Sequence, residues 1–196
     1  MSMEEFDACI EMLAGPSLKH VYNEKLGKLV VHRKSAFPLP KNFNYGFIKG
    51  TLSHDGDPLD VFVMSSKRLR LGSTVKARAI GLLYVKDETG IDNKIMAVDS
   101  SDKTMGEILE LSMLDKEKLN SLIYMLEHNK DGLKGRWTKV YSIGDSKKAL
   151  LEIRASFKNF RNRNICNCRL RFQSLTGNIC SYAIMIYSFT ENMCWC

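Results

Sequence analysis

The N-terminus lacks the features of a secretion signal. Such a signal needs a basic flank followed by an apolar run of about 7–15 residues, whereas this chain begins with Glu4, Glu5 and Asp7 among its first residues. A transit peptide is not expected either, because such segments are rich in Arg and poor in acids. We therefore expect a cytoplasmic protein whose thiols stay reduced.

An uninterrupted apolar stretch of membrane-spanning length is also missing. An uncharged stretch of 19 residues lies between Arg171 and Glu191, but Gln173, Asn178 and Ser181 are among the polar residues that interrupt it. A transmembrane helix needs about 20 predominantly apolar residues. We therefore expect no membrane partner, and the absence of internal repeats excludes a repeat architecture.

The composition is that of an ordinary globular protein, with 44% hydrophobic and 26% charged residues in 196. The net charge of +7 suggests an anionic partner. Residues 161–196, however, hold four Arg against a single Glu, and five of the six cysteines. Because much of the basic excess lies there, no nucleic-acid partner is expected. We predict a domain over residues 1–160 and a poorly structured, Cys-rich, low-charge tail over 161–196, whose Cys-x-Cys pairs are closer than the usual zinc-binding spacing.

Hydrophobic periodicity predicts short strands first and helices later. Strands are expected at residues 28–33, from 47, and at 59–64, 74–85, 94–98 and 137–141, with an extended loop over 34–44. Helices are expected at 114–128, with Asp115 as N-cap and Gly132 and Gly135 ending it, and at 145–160. This order favours an α+β fold, mainly β, that contains a small barrel.

Acidic residues crowd between positions 55 and 92. Asp55, Asp57 and Asp60 lie within six residues that lead from a turn into an apolar strand, and Asp87 and Asp92 flank a predicted hairpin turn. Carboxylates a few ångströms apart repel each other by about 4 kcal/mol at an intermediate dielectric, so they need cations to stay ionised together. Oxygen ligands of this kind select Mg²⁺, Mn²⁺ or Ca²⁺. Solvated turn aspartates are the alternative interpretation, and His54 is interpreted as a turn residue.

Four basic residues lie in otherwise structured surroundings: Lys19, Arg33, Lys94 and Lys130. Each is long enough to reach a phosphate, Arg as a bidentate donor and Lys as a point charge. Aspartates suited to metals beside cations suited to phosphate indicate phosphoryl chemistry.

Two sequence motifs then carry a family resemblance. Residues 44–48 (NYGFI) followed by 55–61 (DGDPLDV) resemble the signature of the soluble family I inorganic pyrophosphatases, and the resemblance extends from about Ile10 to Lys158. It implies a five-stranded OB-like β-barrel with flanking helices over residues 1–160. It further implies Mg²⁺-dependent hydrolysis of pyrophosphate to two orthophosphates, with Mn²⁺ as a substitute, by a homo-oligomer that is a hexamer or a dimer.

The resemblance also implies roles for individual acidic residues. Asp55, Asp60 and Asp92 match the ligands of the tighter metal site, and Asp87 with Asp92 matches the ligands of metal that arrives with substrate. Glu11 matches a glutamate that holds a further metal through water. Asp57 matches the general base for the attacking water.

Lys19, Arg33, Lys94 and Lys130 match the phosphate-binding cations of the family, and Tyr45 matches a tyrosine of the same cleft. Three positions depart from the family pattern, namely Val21 in place of a glutamate and Lys41 and Asn129 in place of tyrosines. Because the lost outer partners typically cost about 10–100-fold in metal affinity or activity, we expect an active but weakened enzyme.

Two other functions stay open at this point. One is a binding module, in which a basic OB-like barrel holds RNA or single-stranded DNA through stacking aromatics; Tyr45 and Phe47 would serve, but the neighbouring aspartates would repel phosphates. The other is a metal-dependent phosphatase for a larger phosphate ester.

Overall fold

The computed structural model describes residues 4–15, 18–23 and 28–175; of residues 19, 21–23, 28, 29, 33, 164 and 166–175 it describes the backbone alone. Within these ranges the strands are β1 Glu5–Met12, β2 Leu18–Asn23, β3 Lys28–Lys34, β4 Phe43–Ile48, β5 Asp60–Met64, β6 Thr74–Asp87, β7 Gly90–Ile91, β8 Lys94–Asp99 and β9 Thr138–Gly144. The helices are α1 Lys103–Gly106, α2 Lys116–His128 and α3 Ser146–Leu175, with a 3-10 turn at Leu111–Met113.

Five strands pair into a closed ring. Strand β1 pairs antiparallel with β4 and with β6, β4 pairs with β5, β5 runs parallel to β8, and β8 pairs antiparallel with β6. The 14-residue β6 takes part in two sides of the ring and also binds β7 and β9. Because closure leaves none of the five strands as a free edge, the ring provides a rigid support for side chains. The predicted α+β, mainly β fold with a five-stranded OB-like barrel is confirmed.

The central strands are buried on both faces, which explains their nearly continuous apolar sequences. In β5, Val61 and Val63 belong to one core cluster, whereas Phe62 and Met64 belong to a second. This division follows from the alternation of side chains along a strand. Helix α3 completes the first cluster with Ile153, among others, and α2 completes the second with residues that include Leu122, Met125 and Leu126.

Helix α2 begins where its capping signal predicts. The Asp115 side chain accepts hydrogen bonds from the backbone N–H groups of Glu117 at 2.7 Å and Lys118 at 3.3 Å, as expected of an N-cap. The helix ends at His128, so Gly132 and Gly135 do not end it as predicted. Both glycines have positive φ, 82° and 74°, and they form the turns that lead to β9.

Several boundaries differ from the predictions. Residues 47–48 end β4 instead of beginning a strand, and β9 continues to Gly144. Contacts divide the chain into one unit that ends at Arg161 and a second that begins at Asn162. In the second unit residues 162–175 are helical, beyond the predicted end at 160, and residues 176–196 lie outside the described part. None of the helices in the described ranges is long and apolar enough to cross a membrane.

Candidate active site

The loop between β4 and β5 presents two aspartates to solvent. The backbone N–H of Asp57 donates to Oδ1 of Asp55 at 3.0 Å, and the Ser53 N–H donates to the Asp57 carbonyl at 2.8 Å. This Asx turn explains the Asp-Gly-Asp sequence, because Gly56 adopts a φ of 90° that favours glycine. The loop therefore has a defined shape that holds both carboxylates on the protein surface.

The connection from β6 to β8 places two further aspartates. Asp87 ends β6, and Asp92 lies just before β8, where its N–H donates to the Val85 carbonyl at 2.9 Å. The next residue, Asn93, is buried, and its Oδ1 accepts from the Val85 N–H at 3.2 Å. The Asn93 side chain thus replaces a backbone acceptor where the strand pairing is interrupted between β7 and β8.

These segments meet at a cleft of about 340 Å³. Eight of the eleven residues that the sequence predicted for the site line it, namely Tyr45, Asp55, Asp57, Asp60, Asp87, Asp92, Lys94 and Lys130. Apolar residues of the core form part of the wall, among them Met12, Phe62 and Met125. The cleft is thus a strongly polar cavity on an apolar support.

Lys94 lies at the buried end of the cleft, and its side chain is only 5% exposed. Its Nζ donates to Asp60 and, at 2.5 Å, to Oδ1 of Asp92. The Tyr45 hydroxyl donates to the same Oδ2 atom of Asp60. Burial would lower the pKa of Lys94, but the charges of Asp60 and Asp92 outweigh it and raise that pKa. For Tyr45, burial first and then Asp60 raise the pKa well above its usual value. Lys94 is therefore cationic and Tyr45 is neutral.

The aspartates differ in their electrostatics. Burial raises the pKa of Asp92 to about 6, and the charges of Asp60 and Asp87 add to this against the opposing effect of Lys94. The pKa of Asp55 is also raised, by burial and by the charges of Asp57 and Asp60. Like charges therefore crowd one half of the cleft, and a bound cation would relieve them.

Lys130 also lines the cleft and lies just after the end of α2. Its Nζ is 2.8 Å from Oδ2 of Asp87 and 3.0 Å from Oε2 of Glu88. For Asp87, hydrogen bonds from Lys130 and Thr89 outweigh the effect of burial and lower the pKa. For Glu88, hydrogen bonds from Arg136, the Trp137 N–H and Lys130 outweigh the effect of burial, and the pKa falls to about 2.

Sequence reasoning missed Glu88, which it interpreted as a turn residue. Its carboxylate binds Lys130, Arg136 at 2.7 Å and the Trp137 N–H at 3.1 Å. The sequence offers one indication of its role, namely an acidic residue directly after Asp87. The three partners of Glu88, however, lie more than forty residues away in the sequence. Glu88 thus ties Lys130 to the segment that leads into β9.

Of the other three predicted site residues, the side chain of Glu11 alone is described, and it is not among the described side chains that line the cleft. Glu11 is buried on β1, and its charge helps to raise the pKa of Tyr45, so it lies near the cleft wall. Lys19 and Arg33 are paired in the register of β2 and β3; their side chains lie outside the described residues. So does the side chain of Val21.

The two remaining departures are described. Lys41 is exposed in the turn that precedes β4. Asn129 lines the cleft, and its Nδ2 donates to the Leu126 carbonyl at 2.9 Å, whereas its buried Oδ1 has no partner among the described groups.

The donor set fits a hard divalent cation. Every acidic group of the cleft is a carboxylate, and oxygen ligands suit Mg²⁺, Mn²⁺ and Ca²⁺. No group of three acidic, His or Cys side chains is preformed as a metal site among the described side chains. Asp60 and Asp92 are instead bonded to Lys94, and Asp87 to Lys130. The aspartates thus fit a divalent cation, and on binding it they would replace their contacts with lysine by contacts with the metal.

A closed OB-like barrel that carries aspartates and lysines in one cleft defines a class of metal-dependent hydrolases of phosphate compounds. Residues 8–161 match the family model for inorganic pyrophosphatase. The inorganic pyrophosphatase of Rickettsia prowazekii is 42% identical over 142 residues, which cover 71% of this chain and 82% of the relative. That of Sulfolobus acidocaldarius is 36% identical over 151 residues, covering 76% and 87% respectively.

Solved structures agree with these sequence matches. The inorganic pyrophosphatase of Thermus thermophilus superimposes with a TM-score of 0.76 at 32% identity, covering 82% of this chain and 93% of the other. That of Helicobacter pylori gives 0.75 at 30% identity, covering 82% and 95%. The chain belongs to the inorganic pyrophosphatase family, and it is a hydrolase of pyrophosphate.

Proposed function

We propose that this chain hydrolyses pyrophosphate with Mg²⁺ as its metal and Mn²⁺ as a substitute, and that water attacks directly without a covalent intermediate. The observation that carries the proposal is the single cleft in which five aspartates face two lysines. When bound, Mg²⁺ polarises phosphate oxygens and lowers the pKa of water. Asp55, Asp60, Asp87 and Asp92 would hold it, with Glu11 acting from outside the cleft.

Asp57 is the proposed general base. It lies at the open side of the cleft, and its position is set by backbone contacts with Ser53 and Asp55. Among the side chains that the structure describes, none donates a hydrogen bond to its carboxylate, so both oxygens can accept a proton from water. A solvated carboxylate at a defined position suits this role.

The lysines are proposed to bind the two phosphoryl groups. Lys94 and Lys130 both line the cleft, and each is bonded to aspartates of its own, Lys94 to Asp60 and Asp92 and Lys130 to Asp87. A phosphate that enters between them offers each Nζ a new anionic acceptor, and the lysines then stabilise the charge that develops on the leaving phosphate. Lys19, Arg33 and Tyr45 would add further contacts to substrate.

Three finer properties belong to the same proposal. The departures at Val21, Lys41 and Asn129 give a weakened but active enzyme, because each replaces a group that supports metal or phosphate. The chain acts in the cytoplasm as a homo-oligomer, a hexamer or a dimer. The domain over residues 1–160 carries the activity.

The test is phosphate release from pyrophosphate with Mg²⁺ and with EDTA, for wild type, Asp57→Asn and Asp7→Asn. Asp7 lies on β1, and its Oδ1 is 2.8 Å from Nζ of Lys76 on β6. It is not among the residues that line the cleft, so Asp7→Asn is a matched control. We expect release that requires Mg²⁺, persists in the control and falls at least 100-fold in Asp57→Asn. A folded wild type that releases no phosphate with either metal would contradict the proposal; nucleotides, sugar phosphates and oligonucleotides then test the two other functions.

A further inference from the structure

Two segments carry the aspartates of the crowded half of the cleft, and both contact one carboxylate of α3. His54 immediately precedes Asp55, and its Nε2 lies 3.7 Å from Oε1 of Glu152. Asn93 immediately follows Asp92, and its Nδ2 donates to the same Oε1 atom at 3.1 Å. The Glu152 side chain is 16% exposed and does not line the cleft in the described structure.

The contact between Glu152 and Asn93 determines how the side-chain amide of Asn93 is oriented. The Oδ1 atom must accept from the Val85 N–H, because the strand pairing provides no other acceptor there. The two N–H donors of the amide then point away from Val85, and Glu152 accepts one of them. Since buried amides need partners on both sides, Glu152 stabilises the orientation that keeps Asp92 and Lys94 at the cleft.

The contact with His54 extends this support to the other segment. The Asx turn at Asp55 is made of local hydrogen bonds and is exposed, and the residues before it are fixed to α3 where the Leu52 N–H donates to the Ser156 carbonyl at 3.0 Å. Glu152 adds a second contact between α3 and this segment, since its Oε1 lies 3.7 Å from Nε2 of His54. A single side chain of α3 thus contacts both His54 and Asn93, which lie 39 positions apart in the sequence.

We propose that Glu152 is a positioning residue, which holds the Asp55 and Asp92 segments at the spacing that Mg²⁺ requires. This inference rests on the proposed function, since it assumes that those aspartates bind metal. Partners that orient metal ligands from outside typically change metal affinity by about 10–100-fold when they are lost. Loss of Glu152 should therefore lower the Mg²⁺ affinity of the folded protein.

The experiment titrates Mg²⁺ alone into the full chain by calorimetry, without substrate, for wild type, Glu152→Ala, Glu152→Gln and Arg154→Ala. Gln keeps an oxygen that can accept from Asn93. Arg154 lies on the same helix, and its exposed ion pair with Glu4 makes it the control. We expect Mg²⁺ affinity to fall about 10-fold or more in Glu152→Ala and to stay within about 3-fold of wild type in the other two.

Thermal unfolding in EDTA shows whether each variant is folded at the temperature of the titration. If Glu152→Ala is not, Glu152→Asp replaces it, because the shorter side chain cannot reach Asn93 and His54 together, and the same loss is expected. Wild-type affinity in the folded Ala or Asp variant would overturn the inference, as would a loss in Gln equal to that in Ala. If the wild type binds no Mg²⁺ and releases no phosphate, the proposed function itself is overturned. This result differs from the two outcomes that would overturn only the role of Glu152.

Discussion

The Nζ atom of Lys130 lies 2.8 Å from Oδ2 of Asp87, although 43 positions separate the two residues in the chain. Both side chains are largely buried, with 16% and 10% exposed. A lysine held in this way is positioned before substrate arrives, and little of its side-chain entropy remains to be lost on binding. Preorganised cations of this kind favour phosphate binding over binding of a neutral ligand.

The first prediction concerns this lysine. Lys130→Met should raise the KM for pyrophosphate by about 10–100-fold, because a charge-assisted hydrogen bond to phosphate contributes about 1.5–3 kcal/mol. Steady-state phosphate release at saturating Mg²⁺ measures it. Lys134→Met, at an exposed turn position, is the control and should leave KM unchanged. A KM within twofold of wild type in Lys130→Met would mean that Lys130 does not contact substrate.

A second prediction concerns stability outside the cleft. Asp102 is buried, and its carboxylate accepts from the Ser66 N–H, the Ser66 hydroxyl and the N–H groups of Thr104 and Met105. Asp102→Ala leaves these donors without an acceptor and should lower the free energy of unfolding by about 3 kcal/mol. Urea unfolding in EDTA measures this. Asp115→Ala, which removes an exposed N-cap, should cost only about 1 kcal/mol.

The pH dependence of stability follows from the same network. Hydrogen bonds from Ser66, followed by those from Met105 and Thr104, hold the pKa of Asp102 well below its usual range. The folded state therefore binds this proton more weakly than the unfolded state does. The stabilisation is complete above the unfolded pKa of about 4 and is lost as pH falls through the lower, folded value. The difference in unfolding free energy between wild type and Asp102→Ala should thus be constant from pH 7 to about pH 5 and shrink below about pH 4. A difference that grows on acidification would contradict this assignment.

Local sequence signals predicted the elements whose causes are local. Asp115 was predicted as an N-cap because its partners lie two and three residues away. The Asp55-to-Asp60 segment was predicted from its turn residues and the apolar strand that follows. The contact of Asn93 with Glu152 spans 59 positions, and no local pattern carries it, since it depends on where α3 packs against the ring.

The end of helix α3 was predicted wrongly for a different reason. The predicted end at residue 160 followed the loss of apolar periodicity, but the helix continues to Leu175. No Gly or Pro lies between residues 146 and 175 to interrupt it. Periodicity reports which helix face is buried, whereas helix length depends also on the absence of residues that break it.

A third prediction concerns the buried cation. Lys94→Met should lower the free energy of unfolding without metal by about 3–5 kcal/mol, because Asp60 and Asp92 lose a buried partner. Added Mg²⁺ should then raise the melting temperature of the variant more than that of wild type, since a divalent cation can replace the missing charge. Thermal unfolding with EDTA and with Mg²⁺ measures both effects. Equal Mg²⁺ shifts in the two proteins would indicate that Asp60 and Asp92 are not metal ligands. Lys76→Met, at an exposed ion pair, should change neither quantity.

The last prediction tests how closely the ring is packed beside the cleft. Gly46 on β4 is paired with Ile10 on β1, and a Cβ atom at Gly46 would lie 1.8 Å from the carbonyl oxygen of Cys9. Because that oxygen belongs to the backbone of a neighbouring strand, Gly46→Ala forces the strands apart, and we expect a loss of at least about 3 kcal/mol in unfolding free energy. Urea unfolding measures it, with Gly106→Ala as control, since a Cβ at Gly106 meets nothing within 4 Å and helix propensity favours Ala there. Equal stability of the two variants would show that β1 and β4 separate without cost, and the ring would then not be the rigid support that the position of Tyr45 requires.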